Sequence, residues 1–177
     1  MFPKYLLMAT LSLPVLVFVG CTSNSNQHQT ENQTISVTES PSDRQEDFSL
    51  NLDEQGRALK GYDPVTYFTE GKPVQGKAEF SLDWNGATWY FSSAEHRERF
   101  AANPDQFAPA NGGYCTFGVV LAKKFDGDPK VWSLHENRLY VFLNEEVKTK
   151  FFQDTVGNFK KVSKNWPEIA PKAPEEL

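Results

Sequence analysis

Sulfur is scarce in this chain of 177 residues, which has two cysteines and two methionines. One cysteine, Cys21, closes an N-terminal apolar stretch, so Cys115 has no obvious disulfide partner within the chain and a disulfide-stapled fold is excluded. Imidazole is scarce as well: three histidines leave few nitrogens for metal or proton chemistry. Positive charge is in deficit, with a net charge of -5. Nucleic acids and anionic surfaces are held by clustered Lys and Arg, no basic stripe occurs, and no nucleic-acid partner is expected. Also missing are a nucleophile elbow, a metalloprotease helix, a phosphate loop and a dinucleotide fingerprint. Binding rather than turnover is therefore expected, and no catalytic residue is assigned.

Aromatic residues, by contrast, are plentiful. They make up 14% of the chain, with Phe counted 14 times, which is enough to build a core for one domain of ordinary size. The first 21 residues, "MFPKYLLMATLSLPVLVFVGC", carry one Lys and then an apolar stretch from Tyr5 to Gly20. That stretch has the length of an export signal rather than of a comfortable membrane span, and Pro14 interrupts it. Gly20 directly before Cys21 is similar to a bacterial lipobox. The similarity implies cleavage before Cys21, a lipid on its sulfur, and a protein held by acyl chains to a membrane of the bacterial cell envelope, facing the periplasm or the exterior.

Residues 22–47 are Ser, Thr, Asn and Gln with almost no large apolar side chain, the composition of a flexible tether. The folded domain is expected over 48–168, with 169–177 a loose tail. Within it "GYDPVTYFTEG" sets Asp63 before Pro64, which suits an N-cap followed by a proline in the first helical turn. "AEFSLDWNGATWYF" alternates on both sides of Asn85-Gly86, a strong hairpin signal. "SSAEHRERFAANP" predicts a helix capped by Ser92 with Glu95 in a capping box, and His96 shares the inward face of Phe100. A second hairpin is expected around Glu136-Asn137-Arg138, with closing amphipathic helices after it. No internal repeat is legible. The expected class is α+β: a small antiparallel sheet from two β-hairpins packed with several short helices.

"NGGYCTFG", residues 111–118, is the best place for a reactive or metal-binding sulfur. The glycines permit unusual backbone, and a cysteine at a helix start is pushed toward thiolate. Buried filler is the alternative fate of Cys115. Tyr67 and Tyr114 lie near these loops and, with Asp63, are candidates to line a pocket for a small non-metal ligand or for a segment of a partner protein, the alternative to metal binding.

"GYDPVTYF", then "LDWNGATWYFSSAEHRERFAANPDQFAP", then "GGYCTFGV" together resemble the YHS-domain family, in particular its exported stand-alone members, from about Ala58 to Pro167. Metal-linked members of that family carry cysteines at three positions that here hold Thr66, Ser92 and His96. The resemblance implies a module that holds or senses a soft transition metal, copper or zinc, alone or with a metal-handling partner protein. Two hydroxyls are poor soft ligands, so His96 and Cys115 are the expected metal ligands.

Overall fold

The structure is a computed structural model, and it describes residues 49–177. The expected signal, lipobox Cys21 and tether lie outside the described residues. Among those described, no helix is long and apolar enough to cross a membrane.

Two β-hairpins organise the chain. Strand β1 (Lys77–Trp84) pairs antiparallel with β2 (Ala87–Phe91), and β3 (Asp128–His135) with β4 (Arg138–Phe142). The two hairpins do not join into one sheet; each is a two-stranded sheet of its own. Both turns have two residues with positive φ, Asn85 and Gly86 at 51° and 74°, Glu136 and Asn137 at 48° and 56°. That backbone matches the right-handed twist of the flanking strands, which is why Asn-Gly marks such turns. Short helices α1 (Thr66–Thr69) and α2 (Ala94–Ala102) flank the first hairpin, and α3 (Pro104–Phe107) follows it. The second has α4 (Thr116–Val120) before it, with α5 (Glu145–Phe152) and α6 (Thr155–Ile169) after it.

The same order of elements occurs twice, contrary to the expectation of no repeat. Each element from the first hairpin onward recurs 51 residues later: Lys77 to Asp128, Ala87 to Arg138, Ala94 to Glu145. Both long strands break register at corresponding places, between Lys77 and Ser81 and between Asp128 and Trp132. Ahead of each hairpin a 3-10 turn runs through three consecutive positive-φ residues, Leu59-Lys60-Gly61 and Asn111-Gly112-Gly113. Few side chains are shared, among them Gly61/Gly113, Tyr62/Tyr114, Gly76/Gly127, Phe91/Phe142 and Phe100/Phe151. The repetition therefore resides in backbone conformation and burial rather than in side-chain identity.

Two apolar clusters result. Val65, Tyr67, Trp89, Phe91 and Phe100 build the first, and Cys115, Val119, Phe142, Phe151, Val162 and Ile169 the second. Successive strand residues face opposite sides, and β4 uses both: Leu139 and Val141 enter the first cluster while Tyr140 and Phe142 pack in the second. One strand thus ties the repeats together.

The tail expected to be loose is docked. Helix α6 runs through Pro167 to Ile169, which is buried. Beyond it the carbonyls of Ala170 and Lys172 accept from the Lys124 ammonium at 2.7 and 2.6 Å. Lys124 itself is buried and lies over the rings of Tyr114 and Trp166.

Candidate functional site

Asp63 is fully buried, and its carboxylate gathers four bonds. Oδ1 accepts the Val65 N–H at 2.8 Å. Oδ2 accepts from the Ser92 N–H at 2.8 Å, the Ser92 hydroxyl at 2.7 Å and His96 Nδ1 at 2.7 Å. The Val65 bond is what an aspartate before proline is expected to make at the entry to α1; the three bonds to Oδ2 reach 29 and 33 residues along the chain. A buried carboxylate is tolerable only when its lone pairs are met in this way.

The helix that carries His96 starts one residue later than its sequence suggests. Ser93, not Ser92, is the N-cap of α2, accepting the His96 N–H at 3.2 Å. Ser92 is drawn away because Asp63 takes both its N–H and its hydroxyl. The capping box with Glu95 is therefore not the arrangement found. Phe100 is buried in the first cluster as expected, and His96 on the same face is mostly buried, with 13% of its side chain exposed.

The Asp63 bond determines the chemistry of His96. A carboxylate only accepts, so Nδ1 carries the hydrogen, and in the neutral imidazole Nε2 keeps its lone pair. Nε2 has no partner among the described residues. A carboxylate holding one ring nitrogen while the other stays open is the arrangement that orients metal-binding and proton-carrying histidines. The Thr66 hydroxyl, fully buried, donates to the Asp63 carbonyl at 2.9 Å. Thr66, Ser92 and His96, the three positions singled out by resemblance, thus all bond to Asp63.

Cys115 lies elsewhere. It stands at the N-cap position of the five-residue α4, makes no side-chain cap bond, and is 1% exposed among Val119, Phe142 and Phe151. Its sulfur accepts the Leu143 N–H at 3.2 Å. No contact joins it to His96, so the expected two-ligand set is not brought together. Among the described residues no group of three or more His, Cys, Asp and Glu side chains is placed to hold a metal. What the fold offers is one oriented nitrogen, a single corner of a coordination sphere.

The tyrosine pocket is likewise not assembled. Tyr67 is buried and donates to the Pro129 carbonyl at 2.9 Å; Tyr114 donates to the Leu50 carbonyl at 3.2 Å. Both polar tips hold the fold together. Burial pushes the Tyr67 phenol far above the ordinary tyrosine range, with the nearby Tyr62, Asp128 and Asp63 adding to it.

The role of Asp63 as a hub is what its sequence concealed. Only the pair of serines followed by a histidine four residues after the first hinted at it, because the bonds cross from one element to another.

Residues 65–111 match the family model described as the YHS domain. The match covers most of the first repeat, from Val65 to Asn111, and leaves out the Leu59–Gly61 turn and Asp63; it does not take in the whole span from Ala58 to Pro167. Neither a curated protein nor a solved structure matches the chain.

Proposed function

Because residues 65–111 match the YHS-domain family, which is associated with metal binding, we propose that this chain is an exported binding protein that takes a soft transition metal, copper or zinc, as cargo through His96. The observation that carries this reading is the 2.7 Å bond between His96 Nδ1 and the buried Asp63 carboxylate. That bond leaves Nε2 open and oriented, and a carboxylate behind an imidazole raises its basicity toward a metal. One nitrogen does not hold copper or zinc alone. The remaining ligands come from water and from a metal-handling partner protein or a second copy, which suits transfer better than storage. Cys115 enters this reading as packing. The tether is part of the proposal: Gly20-Cys21 after an apolar stretch supports lipid attachment at Cys21, with 22–47 as the spacer from the membrane.

The test is an anaerobic competition titration of the full chain, carrying Cys21→Ser, with Cu(I) and Zn(II) against chelators. Binding weakened at least about tenfold by His96→Ala and unchanged by Cys115→Ser is the expected result, the factor being typical for loss of a ligand or its support. Equal affinity of His96→Ala and its parent overturns the reading. Loss in Cys115→Ser would return the sulfur to the ligand set.

A further inference from the structure

Asn111 carries the one buried side-chain polar atom among the described residues that has no hydrogen-bond partner, its amide nitrogen. The residue is 7% exposed. Buried donors are almost always paired, so an orphan in a well-formed fold calls for a reason. The backbone favours asparagine here without requiring it. Asn111 adopts a left-handed conformation with φ of 55°, but its counterpart in the first repeat, Leu59, adopts φ of 49° and is an ordinary member of the apolar core. An apolar side chain would serve the fold at this place, and the second repeat has an amide there.

Two adjoining hollows meet at this residue. Both are open to solvent, with volumes of about 480 and 350 Å³, and Asn111, Arg138 and Trp166 line both. Tyr140 and Ser163 are also in the wall of the smaller one. Asp105 is in the wall of the larger hollow, whereas the smaller has no acidic residue. Arg138, exposed at the start of β4, makes no ion pair with a described carboxylate; its guanidinium has one long bond among the described residues, 3.5 Å, to the Asp105 carbonyl. No hydrogen bond fixes the Asn111 amide nitrogen, and Asn111 lines both hollows, so a turn about the last side-chain torsion would bring that donor to a ligand.

These features belong together chemically. A guanidinium without a carboxylate partner is a planar fork shaped for one. An unpartnered amide is a second donor, and the Trp166 and Tyr140 rings are flat apolar walls. We propose that the smaller hollow binds a small organic carboxylate, its anionic end on Arg138 and Asn111 and its apolar body against Trp166. The site is separate from His96 and belongs to the second repeat; Asn111 is the last residue of the YHS match, and Arg138, Tyr140 and Trp166 lie beyond it.

Sodium benzoate tests this in the full chain at constant ionic strength, with benzamide as the uncharged analogue of the same shape. The readout is the NMR shift of the Trp166 indole, assigned by Trp166→Phe. A saturable shift with benzoate is expected, at least about tenfold weaker with benzamide and in Arg138→Gln, and partly restored in Arg138→Lys, since the fork becomes a point charge. Asn111→Leu, which copies the first repeat, folds and loses affinity; Arg138 is exposed, so its variants keep the test open whatever that variant does. No saturable shift with benzoate, equal binding of benzamide, or an Arg138→Gln chain that binds like wild type would each overturn the proposal.

Discussion

Asp63 and Cys115 occupy the same place in successive repeats. Each follows a Gly-Tyr pair, and each accepts the backbone N–H of the first residue after a hairpin: Ser92 to Asp63 at 2.8 Å, Leu143 to Cys115 at 3.2 Å. Around Asp63 the hydroxyl of Ser92 and the ring of His96 add two further donors. At the corresponding positions of the second repeat stand Leu143 and Val147, which have none. The first repeat holds a polar cluster and the second its apolar counterpart.

That difference sets the cost of exchanging the two residues. Asp63→Asn aims an amide N–H at groups that themselves donate, and destabilises by about 3 kcal/mol. Cys115→Ala removes a sulfur and one weak bond, at about 1–2 kcal/mol. Cys115→Asp buries a carboxylate with one N–H to meet it and costs about 3–5 kcal/mol. Urea denaturation measures all three, and a Cys115→Asp chain as stable as Cys115→Ala would refute the equivalence.

Gly76 and Gly127 mark close backbone approaches at corresponding places in the two repeats. A Cβ on Gly76 would lie 2.5 Å from the Tyr90 carbonyl carbon, and one on Gly127 2.4 Å from the Gly113 oxygen. Backbone cannot yield to a methyl group as a flexible side chain does, so either Gly→Ala change costs about 3 kcal/mol or more. Gly86→Ala, in open space at a turn with φ of 74°, pays only the left-handed penalty of about 1–2 kcal/mol. Thermal melts of the three variants should fall into these two groups.

Tyr67 gives the fold an alkaline limit. Burial raises its phenol above the ordinary value of 10.0, and burial raises Tyr140 in the same direction. Below about pH 10 both folded and unfolded chains keep these protons. Above it the unfolded chain ionises first, so stability falls by up to about 1.4 kcal/mol per pH unit for each such group. Tyr67→Phe should flatten that limb between pH 10 and 11.5 while costing about 1 kcal/mol at neutral pH for the bond to Pro129. An unchanged alkaline slope in the variant would show that Tyr67 is not the group responsible.

Removing residues 170–177 takes two acceptors from the buried Lys124 ammonium. A loss of about 2–4 kcal/mol follows, because a buried cation deprived of acceptors is costly. Lys124→Met in the shortened chain should recover part of it. If shortening leaves stability untouched, the tail is not docked in solution.

Local chemistry was legible from the residues themselves. Asn85-Gly86 announces its hairpin because only a few residue types take two left-handed conformations in a row, and Phe100 marks the inward face of α2 because its helical spacing leaves no other place for so large an apolar ring. Such signals need only near neighbours. Three outcomes needed the whole fold. Ser92 lost its capping role to Ser93 because Asp63, 29 residues away, competes for its hydroxyl. Cys115, in a loop that read as reactive, was closed in by Phe142 and Phe151 and given the Leu143 N–H. The repeat leaves no pattern in the sequence because backbone angles and burial recur under different side chains: Leu59 and Asn111 share one conformation, Asp63 and Cys115 one acceptor role. The residues by themselves therefore determined which segments fold and which way they turn. Tertiary packing alone decided which polar groups meet, since hydrogen bonds between distant segments depend on where the chain returns and leave no pattern along it.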